Sequence, residues 1–155
     1  MKKTRAYYNA ISKGYDELYG REQEEKWDAL KTFVQGKTLD IGCGTGIITK
    51  HIKNVVGLDS SPGMLAHLSG IKVIGDACAL PFKDKSFDTA LSLTLLQDVS
   101  EPERAIREMK RVSKRVVFSV LKKTWTTARV LSITAKQGLK GRVIEHTKDI
   151  FFVQD

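Results

Sequence analysis

Residues 38–61 read TLDIGCGTGIITKHIKNVVGLDSS, and this stretch decides the fold. An apolar run carrying Asp40 leads into three glycines at alternate positions, Gly42, Gly44 and Gly46. A second apolar run, 54–59, ends in another acid, Asp59. Two short apolar runs separated by a crossover of this length read as parallel buried strands. Glycines directly after a strand permit positive φ and let a ligand approach the backbone. The reading is therefore a strand over KTLDIG (37–42), a helix over TGIITKHIK (45–53) and a second strand over NVVGLD (54–59).

The same alternation extends on both sides. SPGMLAHLSG (61–70) is a predicted helix, with Ser61 as N-cap and Pro62 at its first position. IKVIG (71–75), FDTALSLTL (87–95) and RVVFSV (115–120) read as strands. EPERAIREMKRVS (101–113) reads as a helix, and a Thr-rich helix is expected around 125–137. GRVIEHTKDIFFVQD (141–155) holds two apolar runs around a polar turn, the pattern of a hairpin. Towards the N-terminus the reading gives one helix over 7–19, broken by Gly20, and another over 22–34, ended by Gly36. The expected fold class is α/β: a Rossmann-like, doubly wound sheet of seven strands, mostly parallel, with an antiparallel C-terminal strand.

Composition narrows the function classes. The 155 residues suit one domain, read as 1–155, with ordinary hydrophobic (41%) and charged (28%) fractions. No apolar run approaches the ~20 residues of a membrane span, and MKKTRAYYNA has no apolar stretch of a secretory signal. Two cysteines, Cys43 and Cys78, are too few for a disulfide framework or a thiolate cage, so a reduced cytoplasm and no metal are expected. The net charge of +8 is uneven: residues 1–102 hold 13 basic and 13 acidic side chains, residues 103–155 hold 13 and 5. Such asymmetry suits a polyanion-binding face, although the helix at 101–113 places Glu first and Lys/Arg last, as its dipole prefers.

The spacing Gly42-x-Gly44-x-Gly46 departs from the dinucleotide pattern, which would need a glycine where Ile47 stands, and no Lys-Ser/Thr pair makes a phosphate loop. Asp40, two residues before the first glycine, would repel phosphate and suits a cationic group. Asp59 at the next strand end can accept from both hydroxyls of a ribose, or simply cap the helix after it; Asp76 can accept from an exocyclic amine. A ligand with a cationic amino-acid end, a ribose and an adenine but no phosphate is S-adenosylmethionine.

At this point the chain resembles the class I S-adenosylmethionine-dependent methyltransferases, in the small-molecule branch that includes quinone-biosynthesis enzymes. The resemblance rests on LDIGCGTG (39–46), VVGLDSS (55–61), GDACALPFKDKSFD (75–88) and EPERAIREMKRV (101–112), in that order. ISKGYDELYG (11–20) resembles the segment that closes over the cofactor, so residues 1–36 are expected to form a helical lid on a core of 37–155. The resemblance implies a cofactor site of Tyr15, Asp40, Gly42, Cys43, Gly44, Gly46, Asp59, Ser60, Met64, Asp76, Ala77, Leu93 and Thr94. In it Asp40 serves the methionine amino group directly or through water, and Asp59 the ribose. Ser60, Met64, Asp76 and the Ala77 N–H serve the adenine, and Leu93 and Thr94 lie by the methionine end and the substrate. S-adenosylhomocysteine would be the product.

No catalytic base is evident. His51, His67 and His146 read as helix-surface or hairpin residues, whereas Gln97 and Asp98 in TLLQDVSEP (94–102) are expected near the methyl group. Family members often carry a histidine hereabouts and this chain does not. The Asn/Asp-Pro-Pro-Tyr/Phe motif of exocyclic-amine methyltransferases is also absent. RVSKRVVFSV lacks the usual Pro-Gly-Gly turn before strand five, and no insertion supplies a substrate cover. The leading expectation is methyl transfer to a small molecule. The alternatives are an RNA (tRNA or rRNA) methyltransferase using the basic 103–155 region, a non-catalytic cofactor-binding subunit, and a dehydrogenase. Oligomeric state is open.

Overall fold

Thr38–Ile41, the first strand (β1), is buried along its whole length because it lies near the middle of a seven-stranded sheet. The computed structural model describes residues 2–155. β2 (Val55–Asp59) and β3 (Lys72–Ile74) step outward on one side of β1, and β4 (Phe87–Leu93) returns to its other side. β5 (Ser113–Leu121) follows beside β4, and the hairpin of β6 (Gly141–Glu145) and β7 (Asp149–Gln154) completes the order β3-β2-β1-β4-β5-β7-β6. Pairing is parallel from β3 to β5, with Thr38 opposite Val55 and Thr89; β7 runs antiparallel to both β5 and β6. The reversal of order between β1 and β4 opens a crevice at the carboxyl ends of the strands, where open α/β sheets bind ligands.

Alternation along the strands sorts their side chains into two cores. Leu39, Ile41, Val116, Phe118, Ile150 and Phe152 pack on one face, against Ala105, Ile106 and Met109 of α4 (Pro102–Val112) and Val130 and Ile133 of α5 (Thr127–Lys136). Leu91, Leu93, Val117, Phe151 and Val153 pack on the other, with Leu30 of α2 (Tyr15–Leu30) and the loop residues Ile47 and Ile48. α4 begins with Pro102 and Glu103 and ends with Lys110 and Arg111, so its charges complement its dipole.

Three elements differ from the sequence reading. Residues 45–53 form no α-helix, only turns and a 3-10 segment at Thr49–His51. Three consecutive β-branched residues, Ile47, Ile48 and Thr49, resist helix formation, and Thr49 Oγ1 is diverted to the Asp40 carboxylate. The helix after β2 is a single turn, α3 (Pro62–Leu65), although Ser61 does cap it by accepting from Met64 N–H. At the N-terminus Gly20 sits inside α2, with open space around it, and the break falls at Ser12–Gly14, after α1 (Arg5–Ile11). Tertiary ties fix that bend. Asn9 Oδ1 accepts from Ser61 Oγ and from Gly63 N–H (3.0 Å), and Asp16 accepts from Thr45 Oγ1. These ties offset the ~1 kcal/mol cost of a helical glycine and lay α1 and α2 across the carboxyl edge of the sheet.

Candidate active site

The crevice is a cavity of about 400 Å³ whose walls come from four strand ends, those of β1 to β4, and the N-terminal segment. Its base is the glycine turn. Gly42 N–H and Cys43 N–H both donate to the Leu58 carbonyl, at 2.7 and 3.1 Å, which folds the turn against β2. Gly42 and Gly44 take φ of +73° and +59°, the left-handed region that favours glycine. A Cβ on Gly44 would lie 3.0 Å from Met64 Cε, so the turn also keeps space clear.

Asp59 joins the turn to the next element. Its Oδ2 accepts from Gly44 N–H and its Oδ1 from Ser61 N–H, both at 2.9 Å. Burial raises its pKa, opposed by the N–H donors of Ser61, Gly44 and Ser60. Asp76 Oδ1 accepts from Cys78 N–H (2.8 Å), and Ala79 N–H bonds the Asp76 carbonyl (3.0 Å), which curls 76–79 and turns Ala77 to the cavity. Tyr8 and Tyr15 cover the opening from α1 and α2. Tyr8 is held by a 3.1 Å bond from its hydroxyl to Asp98 Oδ2.

Ten of the thirteen expected site residues line this cavity: Tyr15, Gly42, Gly44, Asp59, Ser60, Met64, Asp76, Ala77, Leu93 and Thr94. Asp40, Cys43 and Gly46 stand behind the turn. Asp40 is 3% exposed and accepts from Thr49 Oγ1 at 2.8 Å; burial pushes its carboxyl up to about 7. Cys43 faces Gly57, where burial pushes the thiol up, so it fills space and is not a reactive thiol. Gly46 is pressed against Leu68. Asp98 and Thr94 reach the cavity, whereas Gln97 lines a neighbouring one. The histidines lie elsewhere: His51 bonds Glu24 (2.8 Å) and stacks on Trp27, His67 is exposed, and His146 stacks on Phe151.

Lys26 is the residue that sequence reasoning passed over. It is 3% exposed, and its Nζ lies 2.8 Å from Thr94 Oγ1 and 3.2 Å from Asp149 Oδ1. Thr94 itself has φ +55°, a costly conformation for a β-branched residue. It is anchored by Ser119, whose carbonyl and hydroxyl both accept from Thr94 N–H. The signal for Lys26 was present: Tyr15, Tyr19, Glu22, Lys26 and Leu30 fall on one helical stripe, which is the inward one.

Comparison with known proteins fits this geometry. The family model described as "Methyltransferase domain" matches residues 39–118, which run from the glycine turn to the middle of β5. The chain belongs to the class I S-adenosylmethionine-dependent methyltransferases. Among curated relatives, this methyltransferase is 40% identical over 117 residues to an uncharacterized protein of Methanocaldococcus jannaschii, covering 70% of this chain and 46% of that one. It is 32% identical over 126 residues to a demethylmenaquinone methyltransferase of Renibacterium salmoninarum, covering 70% and 53%. The methyltransferase chain thus spans about half the length of the curated relatives it matches. Among solved structures it resembles the magnesium protoporphyrin IX methyltransferase of Synechocystis PCC 6803 with bound S-adenosylmethionine. That likeness has a TM-score of 0.73 at 16% identity, over 97% and 95% of the two chains, and it is a likeness of fold. No helix among the described residues is long and apolar enough to cross a membrane.

Proposed function

We propose that this chain transfers the methyl group of S-adenosylmethionine to a small-molecule acceptor, with residues 1–36 as a helical lid over a core of 37–155. The observation that carries the proposal is Asp59, a carboxylate fixed by Gly44 and Ser61 N–H groups at the cavity wall. A carboxylate in that place accepts from the paired hydroxyls of a ribose, and the second acid, Asp40 behind the turn, opposes a phosphate and favours a cation. Without an α-helix over 45–53, the turn also offers no helix N-terminus to a phosphate. The residues present fit a ligand that is a nucleoside at one end and a cation at the other.

When bound, S-adenosylmethionine would supply an activated methyl carbon to an acceptor lone pair, the S–CH₃ bond breaking with its electron pair going to sulfur so that S-adenosylhomocysteine leaves. The chain's own work is then to bind, align and exclude water. Asp59 takes the ribose hydroxyls and Asp76 with Ala77 N–H the adenine edge, beside Ser60 and Met64. Asp40, behind the turn, serves the methionine ammonium through water and through its field. Leu93 and Thr94 mark the end of β4 where the methyl group must be presented. Tyr8 and Tyr15 close the cover over it.

The test is transfer of labelled methyl from S-adenosylmethionine into a cell extract, with Asp59→Ala as control and products sorted by nuclease, protease and size. Label in the small-molecule fraction, absent with Asp59→Ala, is the expected result. Label confined to a nuclease-sensitive fraction would move the acceptor to RNA. No transfer by a chain that still binds the cofactor would make it a non-catalytic subunit.

A further inference from the structure

A second cavity of about 490 Å³ adjoins the cofactor crevice and shares Lys3, Tyr8, Tyr15, Thr94 and Asp98 with it. Thr94, with its left-handed backbone, therefore stands where the two spaces meet. The size suits one small organic molecule.

The charges lining this space are unequal. Lys3, Lys26, Lys122, Lys123 and Lys148 face it, against Glu22 and Asp98. Lys26 is committed to Thr94, Asp149 and Glu22, so it adds no free cation to the floor. Asp98 is committed to Tyr8 Oη and the Lys3 N–H. Lys122 lies 3.5 Å from Glu145. Lys123 and Lys148 have no acidic partner within 4 Å among the described residues, and Lys3 Nζ bonds only the Tyr19 hydroxyl (3.3 Å). Five lysines thus line one cavity against two carboxylates, and Lys123 and Lys148 are the cations with no acid in contact among the described residues.

A second observation lies deeper. Gln97 is 9% exposed, and its Nε2 donates to the Thr94 carbonyl at 2.7 Å, which identifies the two ends of the amide. Its Oε1 is buried with no donor, an arrangement that costs about 1–3 kcal/mol unless something fills it. The Tyr8, Tyr15 and Tyr19 rings make the side wall.

We infer that this second cavity is the acceptor site and selects a small aromatic anion, whose carboxylate or phosphate is held by Lys3, Lys123 and Lys148 and whose hydroxyl donates to Gln97 Oε1. The word acceptor rests on the methyltransferase reading; the anion site does not. Its cations stand at the rim of a single concave space beside the crevice, which suits a molecule of this size better than a polynucleotide track.

Calorimetric titration of the full chain tests it, with and without saturating S-adenosylhomocysteine. The probes are 3-hydroxybenzoate, phenyl phosphate, benzoate and the neutral 3-hydroxybenzamide. The anionic probes should bind roughly tenfold or more tightly than the amide, and 3-hydroxybenzoate against phenyl phosphate shows which anion is preferred. Lys123→Ala/Lys148→Ala should remove the anion preference and leave S-adenosylhomocysteine affinity unchanged. Gln97→Met should abolish the preference for 3-hydroxybenzoate over benzoate. Equal binding of anion and amide, absence of binding by every probe, or an anion preference that survives the double substitution would overturn the inference. So would displacement of phenyl phosphate by a short single-stranded RNA at lower concentration. Failure of S-adenosylhomocysteine to bind the unaltered chain would instead overturn the cofactor reading, and the titrations without it still decide the anion site.

Discussion

Gly44 shows how much one residue can carry here. Its positive φ brings its N–H onto Asp59, and its missing side chain leaves the Met64 methyl group room. Gly44→Ala adds a left-handed backbone cost of about 1–2 kcal/mol and a Cβ 3.0 Å from Met64 Cε. We expect stability in a urea titration to fall by roughly that amount, and S-adenosylhomocysteine affinity by about tenfold or more as the cavity base moves. At this scale the sequence was largely legible, because a glycine after a strand and an acid after the next one have few other uses. What it concealed was depth. Asp40 belongs to β1 and Cys43 and Gly46 to the turn, yet their contacts are with Thr49, Gly57 and Leu68 behind it. Spacing alone does not say which side the ligand takes.

Among the elements, α2 is the one whose role was least readable. Glycine at position 20 read as a break, but neighbouring contacts decide where a helix bends, and those contacts are with Thr45, Ser61 and Gly63, tens of residues away. The helix is fastened to the sheet by Lys26 on Asp149, which is wholly buried at the start of β7. Removing the cation strands a buried carboxylate. Lys26→Met should therefore destabilise the chain by about 3–5 kcal/mol, while Lys26→Met/Asp149→Asn should recover most of the loss, both read as urea midpoints. A double variant as unstable as the single one would show that Lys26 matters for its packing. The shortened elements after β1 and β2 were missed for a related reason: β-branched residues and side-chain bonds to Asp40 and Asp59 compete with helix, and periodicity does not register such competition.

For the whole molecule, the buried acids link protonation to both folding and ligand. Asp40 titrates near 7 when folded because burial disfavours its charge, with Thr49 opposing and Asp59 adding to the shift; unfolded it would titrate near 3.9. Between these values the folded chain keeps a proton that the unfolded chain has lost. This contribution to stability is complete below about pH 4 and is lost as pH rises through about 7. The melting temperature of the unliganded chain should fall by a few degrees, relative to Asp40→Asn, from pH 5 to pH 8. A ligand ammonium group prefers the ionised acid. S-adenosylhomocysteine should bind severalfold more tightly at pH 7.5 than at pH 6, with proton release measurable by calorimetry in buffers of different ionisation enthalpy, and Asp40→Asn should flatten both effects. The strand number and directions were legible at this scale, from strand–helix alternation and one hairpin. The basic excess of residues 103–155 was not. Arg111 is spent on Glu108, Asp84 and the carbonyls of Leu80 and Phe82, Lys114 on Asp88, and Lys110 on the Gln137 carbonyl. Most of those partners lie 26–31 residues away, so only the folded chain shows which lysines face a cavity.

The position of β7 between β5 and β6 has a consequence for how the chain is made. A ribosome delivers residues 113–121 long before residues 149–154, yet it is the latter that cover the free side of β5. Until they emerge, Val116, Phe118 and Val120 present unpaired backbone on that side of β5, a template to which another nascent chain can add a strand. Lys26, made first, waits far longer for Asp149. Synthesis of this protein therefore holds an adhesive intermediate for some thirty residues of elongation, the interval in which a chaperone at the tunnel exit would matter most.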